Sequence, residues 1–221
     1  MIRSQHGIEI PSSPAEWCEP ERMALIIYDM QVGICRQIAN GDLIVERIAR
    51  ALASARASGM RVAFTRHLSM PRRWMGMVQL RTAMAWQHRG DPDAVEPWFL
   101  PEAPATRIVP ALAPREDEPV FDKITMSAFD ATALPLALRD CGVRAIAIAG
   151  IAMEIGIEPT VRQASDNGFA ALVIEDACGF GNAVAKDRAL ETLRFVGDAM
   201  LTDTATFCAV LRDRHVAGAA K

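Results

Sequence analysis

The chain has 221 residues, 51% hydrophobic and 23% charged, enough to bury one sizeable core in a single domain spanning 1–221. This balance excludes a disordered tail, a collagen-like chain and a disulfide-stapled miniprotein. A net charge of −3 and a pI near 5.8 lack the basic excess of a nucleic-acid binder.

No apolar run approaches the roughly 20 residues that cross a bilayer. The opening MIRSQHGIEIPSSP has no secretory apolar stretch, so a cytoplasmic protein without nucleic-acid or membrane partners is expected. Cysteines at 18, 35, 141, 178 and 208 form no CxxC pair and no metal-like cluster with the four histidines. They read as reduced thiols, and as small buried hydrophobes in the first instance. HExxH and GxxxxGK[ST] are absent, which removes the usual markers of zinc-peptidase and P-loop chemistry.

In chain order, MALIIY (23–28) predicts a strand buried on both faces, being short, continuous and apolar. Asp42 is placed to cap a helix over 43–58, with Gly59 in the left-handed position after it. RVAFT (61–65) is a second strand and PVFDK (119–123) a short third. Further strands are predicted at 144–150, 170–175 and 199–202. Helices are predicted at 131–140, 154–166, 185–196 and 203–212, with Gly142 and Gly168 as C-caps. The proline-rich 92–119 reads as a surface connection. Strands alternating with helices imply βαβ units and a parallel sheet covered on both faces.

Ligands of such sheets bind beyond the carboxyl ends of the strands, where the strand order reverses. Three features follow strand ends: Asp29 in YDMQ, Lys123 in FDKITMSAF, and the loop GIAMEIG, 150–156. A carboxylate directly after an apolar strand is partly desolvated and suits acid–base work, although an aspartate there equally suits a turn or cap. Lys123 is one of three lysines in a chain that otherwise uses arginine, which hints that an ammonium is wanted, against the plain alternative of a surface lysine.

ALIIYDMQ, KITMSAF with Thr132 and Leu134, AGIAMEIGIEPTVRQA and VIEDA, in that order, resemble the isochorismatase-like (cysteine hydrolase) superfamily from about residue 22 to 207. The resemblance implies a three-layer α/β sandwich, Rossmann-like, on a six-stranded parallel sheet. It implies Asp29, Lys123 and a nucleophilic cysteine at the start of the helix after the fourth strand, where a helix N-terminus lowers a thiol pKa. It also implies a cis peptide between Ile151 and Ala152.

The cysteine position falls on Gly156, so a thioester intermediate of the usual kind is excluded there. Glycine holds this position in the true isochorismatases, where the aspartate protonates an enol ether. Those resemble GVYAHxG in the same loop, whereas this chain has GIAMEIG.

Residues 61–90 hold six arginines, two histidines and no acid. A helix over 72–87 would align Trp74, Met77, Val78 and Arg81, giving a pocket wall with Arg81 or Arg72 clamping a carboxylate, or else packing with solvated arginines. The substrate-contact set is Ile151, Ala152, Gln31, His67, Trp74 and Arg81. Trp86, Trp98 and Phe99 are candidates for an oligomer interface.

No DxHxxxH-like cluster occurs, so no metal and no cofactor are expected. The resulting expectation is a homo-oligomeric, cofactor-free hydrolase of a small anionic molecule. In it Asp29 is the acid/base, Lys123 orients it, and the backbone through Gly156 forms the floor. The alternative is a catalytically inactive binding pseudoenzyme.

Overall fold

The computed structural model describes residues 1–219. It opens with an antiparallel ribbon, β1 (Ile2–Arg3) and β2 (Glu9–Ile10), and a single helical turn, α1 (Pro14–Trp17). The sheet strands are β3 (Met23–Tyr28), β4 (Arg61–His67), β5 (Val120–Lys123), β6 (Ala145–Ile151), β7 (Ala170–Gly179) and β8 (Met200–Thr202). They are parallel, in the order β5-β4-β3-β6-β7-β8. The order reverses between β3 and β6, which places a ligand crevice at their carboxyl ends.

The central strands β3 and β6 carry apolar residues on both faces because both faces are covered. In β3, Met23, Leu25 and Ile27 point into one core and Ala24, Ile26 and Tyr28 into the other. The first core is closed by α3 (Gly41–Ala57) through Ile44, Ile48 and Leu52, and by α8 (Thr204–Ala219) through Phe207 and Leu211. The second is closed by α5 (Leu134–Asp140), α6 (Glu158–Asp166) and α7 (Ala183–Val196), through Leu138, Val161 and Leu193. The expected three-layer sandwich is therefore observed. Each buried Leu, Ile or Phe contributes about 1.5–3 kcal/mol.

Some local expectations shift. The helix expected at 43–58 starts at Gly41, with Asn40 at the cap and Asp42 inside the first turn, where its charge still favours the positive end of the helix. The helix expected over 72–87 is broken: Arg72–Trp74 form a 3-10 turn, Gly76 is extended, and α4 covers only Met77–Gln87. Chain 92–119 is more than a surface connection. Val32 N–H donates to the Arg107 carbonyl and Val109 N–H to that of Met30, and Leu112 is fully buried. After β6 the chain forms a π turn, Met153–Ile157, before α6, a feature often found at functional sites. A short helix, α2 (Val32–Cys35), follows β3.

Candidate active site

Three neighbouring strand ends build the site. β3 ends at Tyr28, and Asp29 then takes a left-handed conformation at φ +48°, which aspartate tolerates better than most residues. The Asp29 backbone N–H donates to Thr65 Oγ1 (3.1 Å), and that hydroxyl donates to Asp29 Oδ1 (2.6 Å). Thr65 belongs to β4, which lies between β3 and β5, so Lys123 at the end of β5 reaches past it. Lys123 Nζ donates to Asp29 Oδ2 at 2.6 Å, to Tyr28 Oη at 2.8 Å and to the Thr125 carbonyl at 3.1 Å. The ammonium thus meets three acceptors, its full donor capacity. The Lys123 and Asp29 side chains are only 1% and 5% exposed.

Tyr28, the chain's only tyrosine, completes the arrangement. Its hydroxyl accepts from Lys123 and donates to the Met126 carbonyl. Burial first, and then the Asp29 charge, holds its phenol well above the usual tyrosine range, so it stays protonated. Its two ends meet two glycines. A Cβ on Gly150, whose φ is +147°, would lie 2.7 Å from the Tyr28 carbonyl carbon and closer still to its oxygen. A Cβ on Gly156 would lie 2.6 Å from ring atom Cε1 and closer still to Cζ and the hydroxyl. The space a side chain at residue 156 would need is filled by the phenol.

A cavity of about 460 Å³ opens above these groups. Its floor holds Tyr28, Asp29, Ile151 and Ala152, and the Ile151–Ala152 peptide is cis. Its walls include His67, Trp86, Trp98, Phe99, Met126, Ile155 and Asn182. His67 stands edge-on to Trp86 (6.0 Å) and to Phe99 (6.2 Å). Burial lowers its pKa from 6.5, reinforced by Lys123 and opposed by Asp29 and a hydrogen bond to Thr125, so the imidazole is neutral at pH 7. Glu154 Oε1 accepts from the Gly181 and Asn182 N–H groups (2.7 and 2.8 Å), fixing the loop before α7 against the cavity.

Of the expected residues, Asp29, Lys123, Gly156, Ile151, Ala152 and His67 gather here. Gln31 does not face the cavity. It is fully buried, and its amide pairs with the His67 backbone, donating to the carbonyl (3.0 Å) and accepting from N–H (2.6 Å). Trp74 and Arg81 are exposed and outside the cavity lining, because the break at Gly76 removes Trp74 from the α4 face. Arg72 is held by Asp93 and the Pro92 carbonyl. Among the described residues no lysine or arginine lines the cavity, so the expected carboxylate clamp is not formed. Trp86, Trp98 and Phe99, read as interface candidates, line the cavity.

Tyr28 and Thr65 were the residues missed. The available signal was a lone tyrosine directly before Asp29 in a chain with glycine at 156. Among the described residues no group of three or more His, Cys, Asp or Glu side chains is placed to hold a metal ion. None of the five cysteines lines the cavity. Burial pushes the Cys35 thiol up to about 11 and Cys18 to about 12, and Cys178 higher still, far from a reactive thiolate.

Residues 23–206 match the Isochorismatase domain, and the chain belongs to the isochorismatase family of hydrolases. The isochorismatase family protein YecD of Escherichia coli O157:H7 is 30% identical over 173 residues, 72% of this chain and 81% of its own. Ureidoacrylate amidohydrolase RutB of Methylorubrum extorquens is 27% identical over 211 residues, 78% of this chain and 77% of its own. The crystal structure of a cysteine hydrolase from Pseudomonas syringae pv. phaseolicola shares the fold, with a TM-score of 0.75, 23% identity, and coverage of 89% of this chain and 95% of the other.

Proposed function

We propose that this chain is a cofactor-free hydrolase of a small molecule that works without a cysteine nucleophile. Asp29 is the acid/base. For an amide or ureide it takes a proton from water as the water oxygen attacks the carbonyl carbon, and returns it to the departing nitrogen. For an enol ether its acid form protonates the enol carbon, water captures the resulting cation, and the hemiketal then releases the alcohol. Lys123 does not line the cavity; it acts through Asp29, fixing one carboxylate oxygen while Thr65 fixes the other. The 151–156 backbone forms the floor. C–N and C–O cleavage both fit this arrangement.

The observation that carries the reading is the Asp29–Lys123 pair at 2.6 Å, buried beside the cavity and closed by the Tyr28 hydroxyl. Burying two charges is expensive, and a site released from catalysis gains nothing by keeping them paired. The pseudoenzyme reading draws on the other half of the geometry, since Tyr28 fills the space a nucleophile would need. Turnover separates the two readings. Amides, ureides and enol ethers incubated with the protein are to be hydrolysed, and Asp29→Asn is to abolish the reaction; binding without turnover across the panel favours the pseudoenzyme.

The five free cysteines fit a reducing, cytoplasmic setting. Trp74 and Met77, 75% and 76% exposed, are where a second copy would bury apolar surface, and light scattering in solution tests that assembly.

A further inference from the structure

We infer that Tyr28 is a catalytic residue of this site, its hydroxyl donating a hydrogen bond to the oxyanion that forms when water attacks an acyl carbon. The inference rests on the hydrolase reading and supplies what that reading leaves open, the group that answers negative charge on the substrate. As the water oxygen bonds to carbon and Asp29 takes the proton, the carbonyl π pair moves onto oxygen. Collapse returns the pair, breaks the C–N bond and sends the proton from Asp29 to nitrogen. The oxyanion needs a fixed donor while it lasts, and no proton passes to it.

The other groups near the floor are already engaged. The N–H groups of Ile155, Gly156 and Ile157 all turn back on the Ala152 carbonyl, at 3.3, 3.0 and 3.1 Å. Lys123 directs its three protons to Asp29, Tyr28 and Thr125. Neutral His67 has one N–H, and its hydrogen bond to the Thr125 backbone uses it. Gln37, His88 and Asn182 line the cavity too, as do Trp86 and Trp98, but all five are exposed to solvent. Gln37 Nε2 also donates to the Gly33 carbonyl at 2.9 Å. Tyr28 and Asp29, by contrast, are only 2% and 3% exposed.

Tyr28 is equipped for the task. It belongs to the cavity floor beside Asp29. Its hydroxyl accepts from Lys123 at 2.8 Å and donates to the Met126 carbonyl. A hydroxyl proton rotates about its C–O bond, so a substrate oxygen beside it can take the place of the Met126 carbonyl. The ammonium behind the phenol oxygen draws charge from it and strengthens it as a donor. Burial keeps the phenol protonated, and its contact with Gly156 fixes the ring.

The chain has one tyrosine, so protein made with 3-fluorotyrosine alters this phenol alone, making it a stronger donor with little change of shape. The parent, the fluorotyrosine protein, Tyr28→Phe and Asp29→Asn are to be compared on benzamide, phenylurea and phenyl vinyl ether, with kcat and KM read by NMR. Tyr28→Phe keeps the ring against Gly156; its kcat on the amide or ureide is expected to fall about 10²–10³-fold, with KM changing less than about threefold. The fluorotyrosine protein is expected to turn over faster than the parent at pH 7, which a purely structural tyrosine does not produce. If Tyr28→Phe does not fold, this second comparison decides alone. The inference is overturned by a Tyr28→Phe kcat within about threefold of the parent, by unchanged or slower turnover with fluorotyrosine, or by turnover confined to the vinyl ether; the hydrolase reading survives each of these. A parent inert on all three compounds overturns both. Activity lost in Tyr28→Phe but kept in Asp29→Asn upholds this inference and defeats the Asp29 reading.

Discussion

The hydroxyl of Tyr28 occupies the space into which any side chain at residue 156 would have to grow. The phenol is fixed there by Lys123 on one side and the Met126 carbonyl on the other. Glycine at 156 and tyrosine at 28 are therefore one structural decision. The absence of a thiol is built into the packing of β3 against the turn after β6.

The first prediction follows from that overlap. Gly156→Ala and Gly156→Cys are each expected to destabilise the protein by at least about 1–3 kcal/mol, and Gly156→Cys alone to confer no amidase activity. Tyr28→Phe does not relieve the overlap, because the ring atoms Cζ and Cε1 also stand in the way. Tyr28→Ala does. In urea denaturation, Tyr28→Ala combined with Gly156→Ala is expected to be more stable than the sum of the single effects. A Gly156→Cys variant as stable as the parent contradicts this.

The Asp29–Lys123 pair makes the second. Lys123→Met leaves a carboxylate buried without its partner and is expected to cost about 3–5 kcal/mol, read from the denaturation midpoint. Turnover is expected to fall with it. A loss below 1 kcal/mol, on the scale typical of exposed pairs, would show that the pair is not desolvated in solution.

Sequence patterning reached the fold because burial on both faces leaves continuous apolar runs in Met23–Tyr28 and Ala145–Ile151. It reached Asp29 and Lys123 because both lie at strand ends, Asp29 directly after β3 and Lys123 as the last residue of β5. The parts it missed are contacts between elements distant in the chain. That Tyr28 meets Gly156, or that Gln31 holds the His67 backbone, depends on the register of β3 against its neighbours. The misplacement of Trp74 has a local cause, the extended Gly76 in a segment that otherwise has helical periodicity, whereas Arg81 stays within α4 on an exposed face.

Gln31 supplies the third prediction. Gln31→Ala removes both partners of the His67 backbone, and each orphaned buried group costs about 1–3 kcal/mol. Turnover is expected to fall as well, because the imidazole wall is no longer held. An unchanged melting temperature and turnover would contradict it.

The fourth concerns pH. The folded-state pKa of His67 lies below its ordinary 6.5, so the unfolded chain takes up this proton first as pH falls. Stability from this group is full above about pH 6.5 and declines below it, towards the lowered folded value. Glu118, paired with Arg56, is also lowered, from 4.5; its contribution is present above about pH 4.5 and is lost below. Thermal denaturation is expected to show a decline between pH 7 and 5.5 that flattens in His67→Gln. A parallel decline in the variant would assign it to other groups.

The central claim, hydrolysis driven by Asp29 without a thiol, is tested most directly by NMR turnover on the panel of amides, ureides and enol ethers. Three proteins are compared: the parent, Asp29→Asn, and a variant with all five cysteines replaced by serine or alanine. The parent and the cysteine-free protein are predicted to hydrolyse the same substrate at similar rates, with Asp29→Asn inactive. Activity that disappears with the cysteines, or survives in Asp29→Asn, contradicts the account.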